Sequence, residues 1–349
     1  MKILFIVNGL SEMAGTERVV CLLANLFSQD LGYEITIVNR KTDGDSVAYT
    51  LNNSIVVHRF SGNYLQFYLK LNKFIKEEYF DHILVHNMGK LALLCSLLKI
   101  PLNTKLCSLE HSSFISRPLW IRILSKILYK KFYNVISLTK ADEKCYKKYN
   151  CNVITINNIS PYSVEINNLE YDIFSKKIIA IGRLVHEKNF MALLKAWSLI
   201  FRKYPEWTLE IYGKGEEEIL LNDYIKINHM YNVKLCGIRD NLSSVYADAA
   251  FLVMTSRYEG LGLVLIEAQS FHIPLIAFDC PYGPATVIEH NRNGLLVQNQ
   301  NIEQLALAME SLILSPEKRL TFSENSKVVS KKYQKEHILS CWKDYVFEK

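Results

Sequence analysis

The chain has 349 residues, 49% of them hydrophobic and 22% charged, with a formal net charge of +6. This is the composition of a soluble globular protein, and the length points to two domains of roughly 100–200 residues rather than one small core. No uncharged apolar run reaches about 18 residues, which excludes an expected transmembrane helix. The charge is unevenly divided: residues 1 to 160 carry 20 Lys and Arg against 12 Asp and Glu, whereas the remainder carries 21 against 23. The basic half is expected to meet an anionic partner. The eight cysteines are scattered, none in a CxxC, and most lie in apolar segments. Reduced thiols in a cytoplasm are expected rather than zinc or disulfides.

In chain order, Met1 to Leu10 opens like a signal peptide, with one basic residue and a short apolar run. The following Ser11 to Arg18 offers no convincing small-residue cleavage site, so a first strand is expected instead. Further strand-like runs fall at 34 to 39, 55 to 59, 82 to 86, 104 to 109, 134 to 138 and 152 to 156. Helical patterns lie near 16 to 30, 64 to 78, 90 to 98, 117 to 132 and 140 to 149. This alternation predicts a doubly wound parallel sheet. Residues 157 to 175 lose the periodicity and gain Asn, Ser and Pro, as a linker does. The alternation restarts with strands near 177 to 182, 207 to 212, 232 to 236, 250 to 255, 273 to 278 and 294 to 297. Helices are expected near 188 to 203, 215 to 228, 241 to 248, 262 to 271 and 301 to 314, and a last long stretch runs from about 317 to 348. The expected organisation is an N-terminal Rossmann-like domain (1 to 160), a linker (161 to 175) and a second Rossmann-like domain (176 to 330). A terminal helix (331 to 349) is expected to pack back on the first domain. Ligands in such a fold bind at the carboxyl ends of the strands.

The most informative stretch is Ser256 to Ser270, which follows the apolar run Ala249 to Thr255. Gly260 and Gly262 permit close approach of backbone to a ligand, and the helix they open directs its first free N–H groups, with Leu261 and Leu263 beside them, at an anion. Glu259 and Glu267 are eight residues apart, at most about 12 Å along a helix axis, near the reach from a sugar across a diphosphate to a ribose. The alternative is a plain buried strand and helix with Glu267 on a solvated face. Gly182-Arg183 and Lys188 lie on the turn after the strand at 177 to 181, a suitable holder for a diphosphate or else a surface turn with two solvated cations.

Gly15 opens the first helix and is placed to face the same anion. His111 ends the strand at 105 to 109, a place for a ligand-facing residue, although a lone histidine is more often structural. Gly213 and Gly215, with Gly237 to Arg239 and hence Ile238, are the candidate base contacts. No GxGxxG, GxSxG or HExxH occurs, and Asp43-Gly-Asp45, the only DxD, reads as turn chemistry. Residues 117 to 133 carry five cations (Arg117, Arg122, Lys126, Lys130, Lys131) and no acid, interleaved with apolar and aromatic residues. That pattern is either a basic amphipathic helix for an anionic membrane or a sheet-covering helix with a solvated edge.

Taken together these motifs resemble the retaining GT-B glycosyltransferases of glycosyltransferase family 4, the "glycosyl transferases group 1" type, as found in bacterial surface-polysaccharide synthesis. The resemblance covers nearly the whole chain. It is carried by Glu259 to Glu267 as the family's E-x7-E, by Gly182-Arg183-Leu184 with Lys188, by the Gly15 loop, and by Asp279 to Glu289 followed by Asn293 to Val297. The family usually has two adjacent glycines in the first loop, whereas this chain has Ala14-Gly15.

The resemblance implies an α/β GT-B fold, two Rossmann-like domains facing across a cleft. It implies that Arg183 and Lys188 bind the donor diphosphate, Glu267 the ribose, Glu259 and the amides after Gly260 the donor sugar, His111 the sugar and Gly15 the phosphate. The expected activity is transfer of a hexose or N-acetylhexosamine, with retention and without a metal, from a nucleotide sugar, UDP-linked by family frequency. The acceptor is expected to be a lipid-linked or growing surface glycan, the location the inner face of the cytoplasmic membrane, and nucleic acid is not an expected partner. The competing expectation is a non-catalytic nucleotide-sugar or glycan-binding subunit; a sugar-nucleotide 2-epimerase of the same fold lacks a supporting motif order.

Overall fold

The computed structural model describes residues 1–40, 47–87, 89–162 and 170–348, and Asp43-Gly-Asp45 lies outside them. The chain divides into two compact units, Met1–Asn158 with Leu339–Lys349, and Ile159–Ile338.

The first unit is built on seven strands: β1 (Lys2–Val7), β2 (Glu34–Asn39), β3 (Val56–Arg59), β4 (His82–Asn87), β5 (Lys105–Glu110), β6 (Asn134–Ser137) and β7 (Val153–Thr155). Residues Ile3 to Val7 are all buried, as a central strand covered on both faces requires. The strands pair in parallel in the order β3-β2-β1-β4-β5-β6-β7. The sequence therefore runs outward in one direction from β1 and in the other from β4, and the switch point lies between those two.

The second unit repeats the plan with β8 (Lys177–Ile181), β9 (Thr208–Tyr212), β10 (Val233–Gly237), β11 (Phe251–Met254), β12 (Leu275–Asp279) and β13 (Gly294–Gln298). Its parallel order is β10-β9-β8-β11-β12-β13, which puts the switch point between β8 and β11. The core on one side of this sheet gathers Trp197, Trp207, Phe251 and Phe278. Two parallel-sheet α/β units are thus what the alternation predicted.

Two helical segments are more divided than their patterns. The stretch from 317 to 348, long for one element, comprises Pro316–Val329, a 3-10 turn Ser330–Tyr333, Lys335–Trp342 and a short π-turn Lys343–Phe347. The break has no Gly or Pro behind it. Tyr333 is fully buried and its hydroxyl donates to the Thr286 carbonyl at 3.1 Å, and the chain turns extended at Gln334. Beyond it, the Trp342 and Phe347 rings each lie 5.2 Å from Phe27, inside the first unit.

The other is the basic segment. The α-helix begins at Leu119, after Pro118, and Arg117 is not one of its surface cations. Arg117 is 4% exposed and paired with Glu110. Burial of Arg117 is offset by the Glu110 carboxylate, with the Tyr146 and Tyr129 hydroxyls beside it, and its pKa is driven up. Glu110 also accepts from Ser108 and, at 2.9 Å, from the Tyr146 hydroxyl. Of the other four cations, Lys130 and Lys131 are exposed and Arg122 and Lys126 half-buried.

The eight cysteines are free, and five of them are buried. Burial raises the Cys21, Cys107 and Cys280 thiols to about 12. Among the described residues no helix is long and apolar enough to cross a membrane.

Candidate active site

The second unit's candidate residues converge on its switch point because β8 and β11 are neighbours that send their following loops the same way. The β8 ladder continues through Gly182, whose N–H donates to the Tyr212 carbonyl at 2.9 Å, and Leu184 donates to Lys214 at 2.9 Å. The turn then closes as Lys188 N–H donates to the Val185 carbonyl at 3.0 Å. A Cβ on Gly213 would lie 1.8 Å from the Gly182 carbonyl oxygen, and one on Gly215 2.3 Å from that of Leu184. These glycines are thus required by backbone lying on backbone, a requirement independent of any base contact.

The loop after β11 is tied to the same turn. Arg257 N–H donates to the Glu187 carbonyl at 2.8 Å, its Nη2 donates to Asn189 Oδ1 at 3.2 Å, and the Thr255 hydroxyl donates to the Lys188 carbonyl at 3.1 Å. Lys188 Nζ is thereby held against Glu259 Oε1, to which the Ser256 hydroxyl also donates at 2.7 Å. The Lys188 and Glu259 side chains keep 25% and 12% of their surface exposed, and Arg183 is exposed. The segment Asp279 to Glu289 lies over Glu259: Tyr282 bridges it in parallel with φ +86°, and a Cβ on Gly283 would stand 2.9 Å from Glu259 Cβ. A bulky residue at positive φ is strain held by its surroundings.

Gly260 and the buried Leu261 lead into Gly262, which is left-handed at φ +82° and starts the helix Leu263–Ser270. No side chain caps that helix end. Glu267 is not on a solvated face. It is 1% exposed, and the Tyr246 hydroxyl donates to its Oε2 at 2.7 Å. Ile238 follows Gly237 at the end of β10 and is 51% exposed.

Chemically, the second unit offers two cations on one turn, a carboxylate held beside one of them, and a free helix end. Such a group is preorganised for negative charge growing on a leaving phosphate and positive charge on the group it leaves. Among the described residues no group of three or more His, Cys, Asp or Glu is arranged to hold a metal ion.

In the first unit, Gly15 is the exposed first residue of the helix Gly15–Gln29, after an Ala14 that supplies no side-chain cap. His111 follows β5, and its Nε2 lies 3.2 Å from Nδ1 of His86, near the end of β4. Burial lowers His111 to about 4, with Glu110 opposing and Arg117 adding to the effect. Sequence reasoning gave no role to His86, Ser256, Tyr246 or Tyr282, although Ser256 and Tyr282 lie within stretches it singled out. His86 had a signal of its own, its place at the carboxyl end of a strand next to the switch point.

Two family descriptions match: "Glycosyltransferase Family 4" over residues 13–158 and "Glycosyl transferases group 1" over residues 170–329. The amylovoran biosynthesis glycosyltransferase AmsD of Erwinia amylovora is 30% identical over 98% of this chain and 99% of its own. A Campylobacter jejuni GalNAc-alpha-(1->4)-GalNAc-alpha-(1->3)-diNAcBac-PP-undecaprenol alpha-1,4-N-acetyl-D-galactosaminyltransferase is 27% identical over 100% of this chain and 99% of its own. Among solved structures, a Staphylococcus aureus TarM variant in complex with fondaparinux, alpha-GlcNAc-glycerol and UDP superposes with a TM-score of 0.85 at 18% identity, over 98% of each chain. Two parallel α/β units, a motif cluster at the second unit's switch point and full-length relatives of one kind together place this chain among the GT-B glycosyltransferases that join a family 4 domain to a group 1 domain.

Proposed function

We propose that the chain transfers a hexose or N-acetylhexosamine from a UDP-sugar to a lipid-linked or growing surface glycan, with retention of anomeric configuration and without a metal. The observation that carries this reading is the Lys188–Glu259 pair at the switch point, with Arg183 on the same turn and an uncapped helix end beside it. Arg183 and Lys188 take the donor diphosphate, and their charge answers the negative charge that a metal would otherwise neutralise. On donor binding Lys188 exchanges Glu259 for phosphate, which frees the Glu259 carboxylate for the sugar. Glu267 exchanges its bond to Tyr246 for ribose hydroxyls, and Gly213, Ile238 and the amides of Gly260 to Leu263 border the nucleotide. Gly15 and His111 serve the phosphate and the transferred sugar.

The sugar C–O bond to the diphosphate breaks with its electron pair going to the phosphate. The acceptor hydroxyl oxygen bonds the anomeric carbon on the same face, and its proton passes to the departing phosphate. The UDP in the TarM complex and the undecaprenol diphosphate in the name of the Campylobacter relative support the donor and acceptor classes. A peripheral place at the inner face of the cytoplasmic membrane is supported by the helix Leu119–Leu128. Its Leu119, Ile123 and Ile127, one turn apart, are 67%, 48% and 66% exposed, with Lys130 and Lys131 beyond its end.

NMR of the product formed from a panel of UDP-sugars and lipid diphosphate acceptors tests the reaction. An alpha linkage from an alpha-linked donor is expected. A beta linkage, or a covalent glycosyl-enzyme on Glu259, contradicts it, and donor binding with neither transfer nor donor hydrolysis indicates a binding subunit instead.

A further inference from the structure

His86 is 1% exposed and lies at the carboxyl end of β4, packed 4.6 Å from the Phe5 ring. Its ring and that of His111 are 20° from parallel with centroids 5.4 Å apart, while Nδ1 of His86 and Nε2 of His111 are 3.2 Å apart. The centroid separation exceeds the N···N distance by only the two ring radii. The imidazoles therefore lie edge to edge in nearly one plane, the arrangement of an N–H···N hydrogen bond rather than of a face-to-face stack. Both are neutral at pH 7, since burial lowers each. One proton is thus shared along this contact, and the remaining question is which ring gives it.

The far nitrogen of His86 decides. Nε2 is buried and has no hydrogen-bond partner among the described residues. Were the His86 proton there, a donor would be orphaned in the core; with the proton on Nδ1, only a lone pair goes unmatched. Buried orphan N–H groups are the rarer of the two. The geometry points to His86 as a positioning residue: its Nδ1–H donates to His111 Nε2 and so fixes His111 as the Nδ1–H tautomer. The nitrogen that His111 has left for a ligand is then a hydrogen-bond donor and has no lone pair with which to act as a base. Resting on the reading of His111 as a sugar contact, this assigns it to donation toward a hydroxyl or phosphate oxygen of the donor, never to deprotonation of the acceptor.

The test is long-range 1H–15N correlation on the wild-type chain labelled with 15N-histidine, with the His111 signals identified by their loss in His111→Asn. Protonation at Nδ1 of His111 is expected, and protonation at Nε2 overturns the inference without any variant of His86. In a second arm, His86→Asn, whose amide nitrogen replaces Nδ1, keeps the His111 tautomer and near wild-type kcat/KM. His86→Phe loses the tautomer preference and about tenfold in kcat/KM, the worth of one hydrogen bond. Equal activity in the two variants overturns the positioning role. If the tautomer is as expected yet His111→Asn transfers sugar normally, the sugar-contact reading fails and the His86 assignment stands.

Discussion

At the scale of single residues, the Lys188–Glu259 pair carries the proposed chemistry. Glu259 holds Lys188 in place, and in the proposed reaction it competes with the donor diphosphate for it. Glu259→Gln is therefore expected to bind UDP at least as tightly as the wild type while losing about 100-fold in turnover, the size of losing one preorganised charge contact in a transition state. Titration calorimetry beside steady-state kinetics measures both. Weaker UDP binding with unchanged turnover assigns Glu259 to the nucleotide instead.

The histidine pair gives a pH dependence. Burial holds His111 at about 4 and His86 well below its ordinary value, where the neighbouring His111 lowers it further. In the unfolded chain both take up a proton near about 6.5. Below that value the unfolded state binds more protons, so stability is full above about pH 6.5 and falls as the pH drops toward 4. Urea midpoints at pH 7, 5.5 and 4.5 follow this loss, and His86→Phe should flatten it. An equal slope in the variant shows that other groups carry the effect.

Much of the candidate donor site was legible residue by residue. Arg183, Lys188, Glu259 and the glycines at 260 and 262 stand on turns between an apolar strand and a helix, and such turns are visible in one dimension. What stayed hidden were the partners. Nothing in the spacing says that Ser256 and Lys188 share one carboxylate oxygen. Nor does it say that Glu267 is buried against Tyr246, or that Gly213 is glycine because the Gly182 carbonyl occupies its Cβ position.

At the scale of elements, the segment after β5 shows how a charge pattern misleads. Five cations without an acid read as one basic face, but Arg117 answers a glutamate seven residues earlier on a buried strand end. Glu110, Arg117, Tyr129 and Tyr146 anchor the start of the helix Leu119–Leu128 from within. Glu110→Gln leaves the guanidinium buried without its charge partner and is expected to cost about 3–5 kcal/mol. The double variant Glu110→Gln/Arg117→Met should recover most of it. Chemical denaturation compares the two, and a single variant as stable as the wild type contradicts the anchoring role.

The outer face of the same helix is turned about: Ile121 and Ser125 face inward while Leu119, Trp120, Ile123, Leu124 and Ile127 are exposed. Ile123→Ser/Ile127→Ser should abolish sedimentation with vesicles containing anionic lipid and leave the urea midpoint within about 0.5 kcal/mol of wild type. Unchanged sedimentation removes the helix from the membrane reading.

At the scale of the whole molecule, alternation of strand-like and helical runs was enough to give two doubly wound units, because a parallel sheet buried on both faces writes itself as short apolar runs. The order of strands was not legible, since any parallel order satisfies the same runs. It is the order that matters for function: β8 beside β11 brings loops more than 60 residues apart in sequence, after Ile181 and after Met254, to one switch point. A division of the last helical stretch near 330 was legible, but what holds it was not: Tyr333 turns the chain by anchoring to Thr286, a contact 47 residues distant.

The central claim is that the second unit's switch point holds the donor diphosphate. Thermal stabilisation by UDP and UDP-sugars, compared among wild type, Arg183→Ala and Lys188→Ala, tests it most directly. At 100 times the dissociation constant a ligand adds about 2.7 kcal/mol to stability, so a clear upward shift in Tm is expected for the wild type and its loss for both variants. A shift of equal size in all three proteins would place the nucleotide elsewhere and contradict the account.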